Sequence, residues 1–136
     1  MLTGTCLCGA CAWRFDTTPR SATACNCAAC RRYGVLWIYG HKDDDVHLDG
    51  PIRAFVRTDI GEAELSFDHC ATCGCVLAWT GLGPGRDGRT RRAVNLRLAD
   101  DPGSEAVQAL PIRHFDGAGS FEDLPADGRT VRDMWF

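Results

Sequence analysis

The chain has 136 residues, nine cysteines and a formal net charge of −3 at pH 7. This length fits one domain over residues 1–136, and the acidic balance argues against nucleic acid as a partner, because nucleic-acid-binding domains usually show a basic surface. No apolar run approaches the ~20 residues of a membrane-spanning helix, and the first six residues lack the basic and apolar regions of a secretory signal. We therefore expect a cytoplasmic protein with no membrane partner.

The first third of the chain is predicted to form short strands and one helical turn. Residues 3–6 and Ala12–Phe15 flank a cysteine-rich turn, and the second of these segments alternates with a period of two. Residues 28–34 read as one helical turn that ends at a glycine. Residues 35–39 are a continuous apolar run, which is typical of a buried strand.

The rest of the chain continues as strands separated by glycine, proline and acidic turns. In residues 54–58 and 64–67 the apolar residues alternate, so each strand should turn one face to water. Residues 93–98 also alternate, which should place Val94 and Leu96 on one face and Asn95 on the other. The remaining predicted strands are residues 46–48, 52–58, 64–68, 76–80 and 112–115, and residues 105–110 are a short helix or an edge strand.

Roughly seven to nine short strands with little helix predict a mainly β domain built from two sheets. Trp79 is expected to anchor the core, and the apolar end of the chain, residues 134–136, to dock on the body. The four arginines of residues 86–92 should form a solvated basic loop.

All nine cysteines lie in three clusters, of which two share the spacing C-x-C-x-x-C and the third has its mirror image. The odd count and the clumping of the thiols argue against a disulfide scaffold. Zinc prefers four tetrahedral ligands, so pairs of close cysteines on tight turns predict zinc sites. The clusters are Cys6, Cys8 and Cys11; Cys25, Cys27 and Cys30; and Cys70, Cys73 and Cys75.

The spacing alone leaves two pairings of these clusters open. In one pairing, Cys27 and Cys30 complete a zinc site with the cysteines at positions 70 and 73. In the other, Cys6 and Cys8 join the cysteines at positions 70 and 73. This second pairing leaves the central cluster as a three-thiol site with one free position, which is the feature that distinguishes catalytic from structural zinc.

The cysteine clusters lie in three distinctive stretches of the chain. The stretches are Thr3-Gly4-Thr5-Cys6-Leu7-Cys8-Gly9-Ala10, Cys25-Asn26-Cys27-Ala28-Ala29-Cys30-Arg31-Arg32 and Cys70-Ala71-Thr72-Cys73-Gly74. They resemble the signatures of the glutathione-dependent formaldehyde-activating enzyme family, which is related to the centromere protein V group. The resemblance runs from about residue 3 to residue 80, and more loosely to the C-terminus.

This resemblance implies a β-tent fold, in which zinc staples two twisted antiparallel sheets. It implies the second pairing of the clusters, with two zinc ions per chain. It also implies a carbon–sulfur lyase whose partners are a thiol such as glutathione and a small aldehyde, and whose product is S-hydroxymethylglutathione. The implied structural zinc ligands are Cys6, Cys8, Cys70 and Cys73, and the implied catalytic zinc ligands are Cys25, Cys27 and Cys30.

Two features depart from the family pattern. Members often have histidine between the first two central thiols, whereas this chain has Asn26, which cannot exchange a proton near pH 7. Cys11 and Cys75 exceed the seven-thiol pattern, and they are either small buried residues or an extra ligand that closes the second zinc. The alternative to an enzyme is a zinc-stapled binding module without turnover, either a thiol or aldehyde carrier or a protein-interaction domain.

Overall fold

The strands of the protein form two sheets of unequal size in a computed structural model that describes residues 1–134. The small sheet has the strand order β1-β2-β5, and the large sheet has the order β10-β3-β4-β9-β8-β7-β6. The ten strands are β1 (Leu2–Thr5), β2 (Ala12–Phe15), β3 (Ala22–Cys25), β4 (Trp37–His41), β5 (Val46–Asp49), β6 (Ile52–Val56), β7 (Leu65–Cys70), β8 (Val76–Gly81), β9 (Arg91–Asn95) and β10 (Ile112–Phe115).

The helices are short. Helix α1 (Ala28–Tyr33) ends at Gly34, whose left-handed φ of 62° closes the last turn as the sequence predicts. Helix α2 spans Glu105–Gln108, and two 3₁₀ helices span Leu96–Leu98 and Val131–Met134. Within residues 1–134 neither α-helix has the length and apolar character needed to cross a membrane.

Two buried clusters lie on opposite faces of the large sheet. The main cluster includes Trp13 and Phe15 of the small sheet together with Ile38 and Val94 of the large one, so it fills the space between the sheets. The second cluster contains Trp37, which precedes Ile38 and therefore points to the other face of β4. This second cluster is where Cys30 is buried.

The mainly β class with two sheets is confirmed, with two differences in detail. Strand β3 was not predicted, because Ala22–Cys25 is a short segment without marked apolar alternation. The last strand, β10, pairs with β3 in parallel, so the large sheet is not wholly antiparallel. This pairing brings Phe115 opposite Cys25 and carries the C-terminal part of the chain to the central cysteine cluster.

The predicted alternation is wrong in three segments, residues 54–58, 64–67 and 93–98. β6 is exposed along most of its length because it is the edge strand, whereas the interior strand β7 is buried on both faces. Residues 93–98 do not form one strand. Asn95 is buried and its side chain accepts hydrogen bonds from the amides of Leu36 and Arg97, which ends β9 and begins a 3₁₀ helix.

Other expectations for the core have mixed outcomes. Trp79 is 9% exposed and belongs to the second cluster, as predicted. Met134 packs against the main cluster, while the docking predicted for Trp135 and Phe136 lies outside the described residues. The arginines of residues 86–92 are not all solvated. Arg92 is 8% exposed and its Nε donates to the Thr80 hydroxyl at 2.9 Å.

Candidate metal centres

The first and third cysteine clusters meet in space. Cys6 and Cys8 lie in the turn between β1 and β2, and Cys70 and Cys73 lie at the turn between β7 and β8. Their four sulfur atoms all lie within 4.8 Å of one another. This grouping is the pairing that the family resemblance implies.

The sulfur–sulfur distances of this four-thiol group fit zinc. The Sγ atoms of Cys6 and Cys8 are 3.6 Å apart, and those of Cys8 and Cys70 are 3.7 Å apart. A tetrahedral site with zinc–sulfur bonds of about 2.3 Å separates its sulfurs by about 3.8 Å. The donor set and its spacing therefore suit a closed zinc site, in which all four positions are filled by the protein.

Both turns of this group are built in the same way. The amide of the first residue donates to the carbonyl oxygen five residues later, from Cys6 to Cys11 and from Cys70 to Cys75, each at 2.9 Å. Each turn also contains a glycine with φ of 77°, Gly9 in one turn and Gly74 in the other. A left-handed backbone of this kind favours glycine, which explains a glycine beside each thiol pair.

Backbone amides also point at the sulfurs of this group. The amide of Cys11 donates to the Cys6 Sγ at 3.2 Å, and that of Thr72 donates to the Cys70 Sγ at 3.4 Å. The pKa of Cys70 falls to about 5, chiefly because the backbone N–H of Cys73 donates to its sulfur. Such bonds favour the thiolate, the form that binds metal.

The two additional cysteines lie beside this first group and belong to neither set of converging thiols. Cys11 is 2% exposed, and its Sγ donates to the Pro51 carbonyl oxygen at 3.3 Å. Burial raises its pKa to about 12. Cys75 is half-buried, and its carbonyl oxygen accepts from Cys70. The geometry therefore gives no support to the hypothesis that either one closes the second zinc site.

The central cluster forms a second, local group. Cys25 ends β3, Cys27 is the N-cap of α1, and Cys30 lies in the first turn of that helix. Their sulfurs lie within 4.8 Å of one another, and no fourth Cys, His, Asp or Glu joins them in residues 1–134. Three converging thiols can hold zinc with one position left free for another ligand.

Hydrogen bonds within the three-thiol group set the charge of its sulfurs. The pKa of Cys25 falls to about 6, chiefly because the Cys30 thiol donates to it. The same interaction, together with burial, raises the pKa of Cys30 well above its usual range. The indole Nε1 of Trp37 donates to the Cys30 Sγ at 3.2 Å and would stabilise a thiolate there.

A loop after β10 forms one wall of the three-thiol group. The Asn26 side chain donates to the Asp116 carboxylate at 2.8 Å and accepts from the amide of Ala118 at 2.9 Å. Between these two contacts lies Gly117, whose backbone N–H donates to the Cys25 sulfur. Sequence reasoning missed this wall, because the Asp116-Gly117 pair signals a turn but not where that turn packs.

Aromatic and basic side chains surround the three-thiol group on the sheet face. Trp37, Phe67 and Trp79 are buried there, and Tyr39 packs against them. Arg57 is close enough for the charges of Cys27 and Cys30 to contribute to raising its pKa, after the larger effect of its hydrogen bond to Asp59. The sheet face beside the thiols thus combines apolar rings with positive charge.

Three polar side chains that adjoin the cysteine clusters in sequence lie outside both thiol groups. Arg31 and Arg32 are exposed at the end of α1, where Arg32 donates to the Ala28 carbonyl oxygen at 3.1 Å. His69 lies on β7 and is not among the converging side chains. A cavity of about 320 Å³ lined by Lys42, His47, Asp68 and Arg92 also shares no residue with the thiol groups.

Comparisons with known proteins agree with this geometry. The model of a family described as glutathione-dependent formaldehyde-activating enzyme matches residues 1–110. A crystal structure of a protein from Rhodobacter sphaeroides is similar with a TM-score of 0.57 and 21% identity, over 81% of this chain and 98% of that chain. At that identity the likeness concerns the fold alone. A search of curated proteins gives no match.

Proposed function

Because this chain belongs to the glutathione-dependent formaldehyde-activating enzyme family, we propose that it joins a thiol such as glutathione to a small aldehyde such as formaldehyde. One observation carries the proposal. The protein offers four converging thiols in one place and only three in the other. A three-thiol site leaves a position for a substrate sulfur, which a closed site does not.

We assign Cys6, Cys8, Cys70 and Cys73 to a structural zinc, and Cys25, Cys27 and Cys30 to a second, catalytic zinc. When bound by three thiolates, zinc supplies an open coordination position that takes up a further sulfur as thiolate. This matters because a free thiol with a pKa of about 8.5 is mostly protonated at neutral pH, and only the thiolate attacks a carbonyl.

Two N–H groups of the protein favour the charged form of two of these sulfurs. The Trp37 indole and the Gly117 amide donate to the sulfurs of Cys30 and Cys25. In the proposed reaction the substrate sulfur forms a bond to the aldehyde carbon while the π bond of the carbonyl breaks, and the carbonyl oxygen takes the proton that the thiol released. With formaldehyde the product is the S-hydroxymethyl derivative of the thiol. We also propose that residues 1–136 act as a single zinc-binding domain in the cytoplasm.

One observation favours the alternative of a binding module without turnover. The side-chain amide of Asn26 donates to Asp116 and accepts from Ala118, and an amide does not exchange a proton near pH 7. The side chain between the first two central thiols is thus a fixed structural contact. A protein of this kind would capture a thiol or an aldehyde without accelerating their reaction.

Exchange NMR of glutathione with formaldehyde distinguishes the two functions. We expect the zinc-loaded protein to accelerate exchange over the buffer rate, and Cys27→Ala to lose this effect. Cys11→Ala is the matched control, because it removes a cysteine that lies outside both thiol groups. If the wild-type protein binds zinc but leaves the exchange rate at the buffer value, the binding module is the correct function.

A further inference from the structure

A row of apolar side chains crosses the large sheet on the face that carries the three-thiol group. Successive register pairs join one residue from each of five neighbouring strands. Because paired residues on adjacent strands share a face, these side chains form one continuous surface. The row consists of Phe55, Phe67, Trp79, Ala93 and Tyr39.

Arg91 lies over this surface. Its guanidinium carbon is 5.5 Å from the centre of the Tyr39 ring and 5.6 Å from that of Trp79. The two rings pack with their centroids 5.7 Å apart, and Ala93 between them has too small a side chain to separate them. Stacking on aromatic rings holds the planar guanidinium in a fixed orientation.

The charge of Arg91 is uncompensated among residues 1–134. Its side chain is exposed and makes no ion pair with any acidic residue in that part of the chain. Two nearby arginines differ in this respect, since Arg57 pairs with Asp59 at 2.7 Å and Arg113 pairs with Asp123 at 2.6 Å. Arg91 is therefore a pre-oriented cation whose N–H fork remains available to an anion.

The distance from Arg91 to the thiols suits a peptide-sized ligand. Trp37 donates to the Cys30 sulfur, and Tyr39 is two residues further along β4. At a rise of about 3.3 Å per residue, Tyr39 lies about 7 Å beyond Trp37 along the strand. A ligand whose sulfur binds at the three-thiol group would contact Arg91 through a group roughly 7–10 Å from that sulfur. This distance is about the span of two or three extended residues.

We propose that Arg91 binds a carboxylate of the thiol substrate, so that the site selects elongated, carboxylate-bearing thiols over small neutral ones. The inference rests on the proposed function, because it assumes that a thiol enters the three-thiol site. Its physical basis is the bidentate geometry that a guanidinium makes with a carboxylate. The stacked rings of Tyr39 and Trp79 lower the entropic cost of this contact by holding the guanidinium in place before the ligand arrives.

Calorimetric titration of the zinc-loaded protein tests this subsite. The ligands are glutathione, its diethyl ester, which lacks both carboxylates, and 2-mercaptoethanol. The variants are Arg91→Gln, Arg91→Lys, which retains the charge without the fork, and Arg86→Gln. The last is the control, because Arg86 is an exposed arginine of the preceding loop and its substitution makes the same change in charge.

We expect Arg91→Gln to weaken glutathione binding by about 10- to 150-fold, since a hydrogen bond to a charged group is worth about 1.5–3 kcal/mol. Binding of the ester and of 2-mercaptoethanol should not change, Arg91→Lys should be intermediate, and Arg86→Gln should match the wild type. Zinc content and thermal midpoint should be the same in all four proteins.

Three results would overturn the subsite. These are equal affinity of the wild-type protein for glutathione and its ester, equal losses in Arg91→Gln and Arg86→Gln, and a loss of ester binding as large as that of glutathione. Because the readout is binding, the proposed lyase activity is tested separately. A protein that prefers glutathione to its ester but does not accelerate exchange has the subsite without turnover. A protein that accelerates exchange but binds glutathione and its ester equally well has turnover without the subsite.

Discussion

Gly117 approaches Cys25 so closely that a Cβ atom on residue 117 would lie 2.6 Å from the Cys25 Sγ. It would also lie 3.0 Å from the Cβ of Cys27. The backbone of Gly117 does not have a positive φ, so the position requires glycine for space and not for conformation. The loop after β10 therefore reaches the thiols at a distance that no other residue type permits without a shift.

We predict that Gly117→Ala weakens metal binding at the three-thiol group. Overpacking of this kind typically costs about 1–3 kcal/mol, which corresponds to about a 5- to 150-fold lower zinc affinity if the thiols move to relieve it. Competition with a chromogenic chelator measures this affinity. Gly83→Ala is the control, because nothing lies within 4 Å of its added Cβ. Equal zinc affinities in the two variants would contradict the close approach.

The two hydrogen bonds between the Asn26 side chain and the loop after β10 give a second prediction. Asn26→Ala removes two hydrogen bonds and should lower the zinc affinity of the three-thiol group by at most about 150-fold, since each such bond contributes about 0.5–1.5 kcal/mol and the two together about 1–3 kcal/mol. Asn26→Asp should be worse, because the pKa of Asp116 is lowered, chiefly by the Ser120 amide, and two carboxylates would then face each other.

The same chelator competition tests these two hydrogen bonds. The double variant N26D/D116N tests whether the lost zinc affinity can be restored. It exchanges the acid and the amide, so donor and acceptor face each other again. We expect it to recover most of the affinity that Asn26→Asp loses. A double variant as weak as the single one would show that Asn26 acts in some other way.

The two thiol groups should differ in their effect on stability. Cys73→Ala breaks a group that ties the β1–β2 turn to the β7–β8 turn across 62 residues of sequence, so cooperative unfolding should be lost. Cys27→Ala affects a group contained within residues 25–30, so the protein should lose one of two zinc ions and remain folded. Elemental analysis and thermal unfolding measure both effects. Equal destabilisation by the two variants would mean that both groups are structural.

The reactivity of Cys25 should depend on pH in an unusual range. Its pKa of about 6 means that, once a mild chelator has emptied the three-thiol group, its thiolate persists above pH 6 and is lost as the pH falls through 6. Iodoacetamide labelling followed by peptide mass spectrometry should show this midpoint. Cys11 is the internal control, because it is buried with a pKa of about 12 and should stay unlabelled. A labelling midpoint near that of a free thiol, about 8.5, would rule out the interaction with Cys30.

Local signals predicted the parts of the fold that depend on local chemistry. Cysteine spacing and glycine placed the three turns, and helix α1 ends at Gly34 as its sequence indicates. The apolar and aromatic run at residues 35–39 was recognised as a strand, although β4 begins at Trp37 and ends at His41. The prediction failed at β3 and at Asn95, where the outcome depends on which distant strands supply a partner.

The candidate site divides in the same way. The converging sulfurs of Cys25, Cys27 and Cys30 lie within six residues, so their proximity follows from the sequence. The residues that surround these sulfurs could not be predicted from the sequence. Gly117 lies next to the thiols because it follows a strand that pairs in parallel with β3, about 90 residues later in the chain. Arg91 belongs to a segment that was expected to be solvated. Long-range register decides both positions, and no local pattern contains that information.

The parallel pairing of β10 with β3 brings together two parts of the chain that lie far apart in sequence. The residues matched by the family model end at position 110, whereas β10 and the loop with Asp116 and Gly117 come after it. The candidate metal ligands and the wall that faces them are thus encoded in separate parts of the chain. A substitution in the wall can therefore change the surroundings of the three-thiol group while every cysteine stays in place.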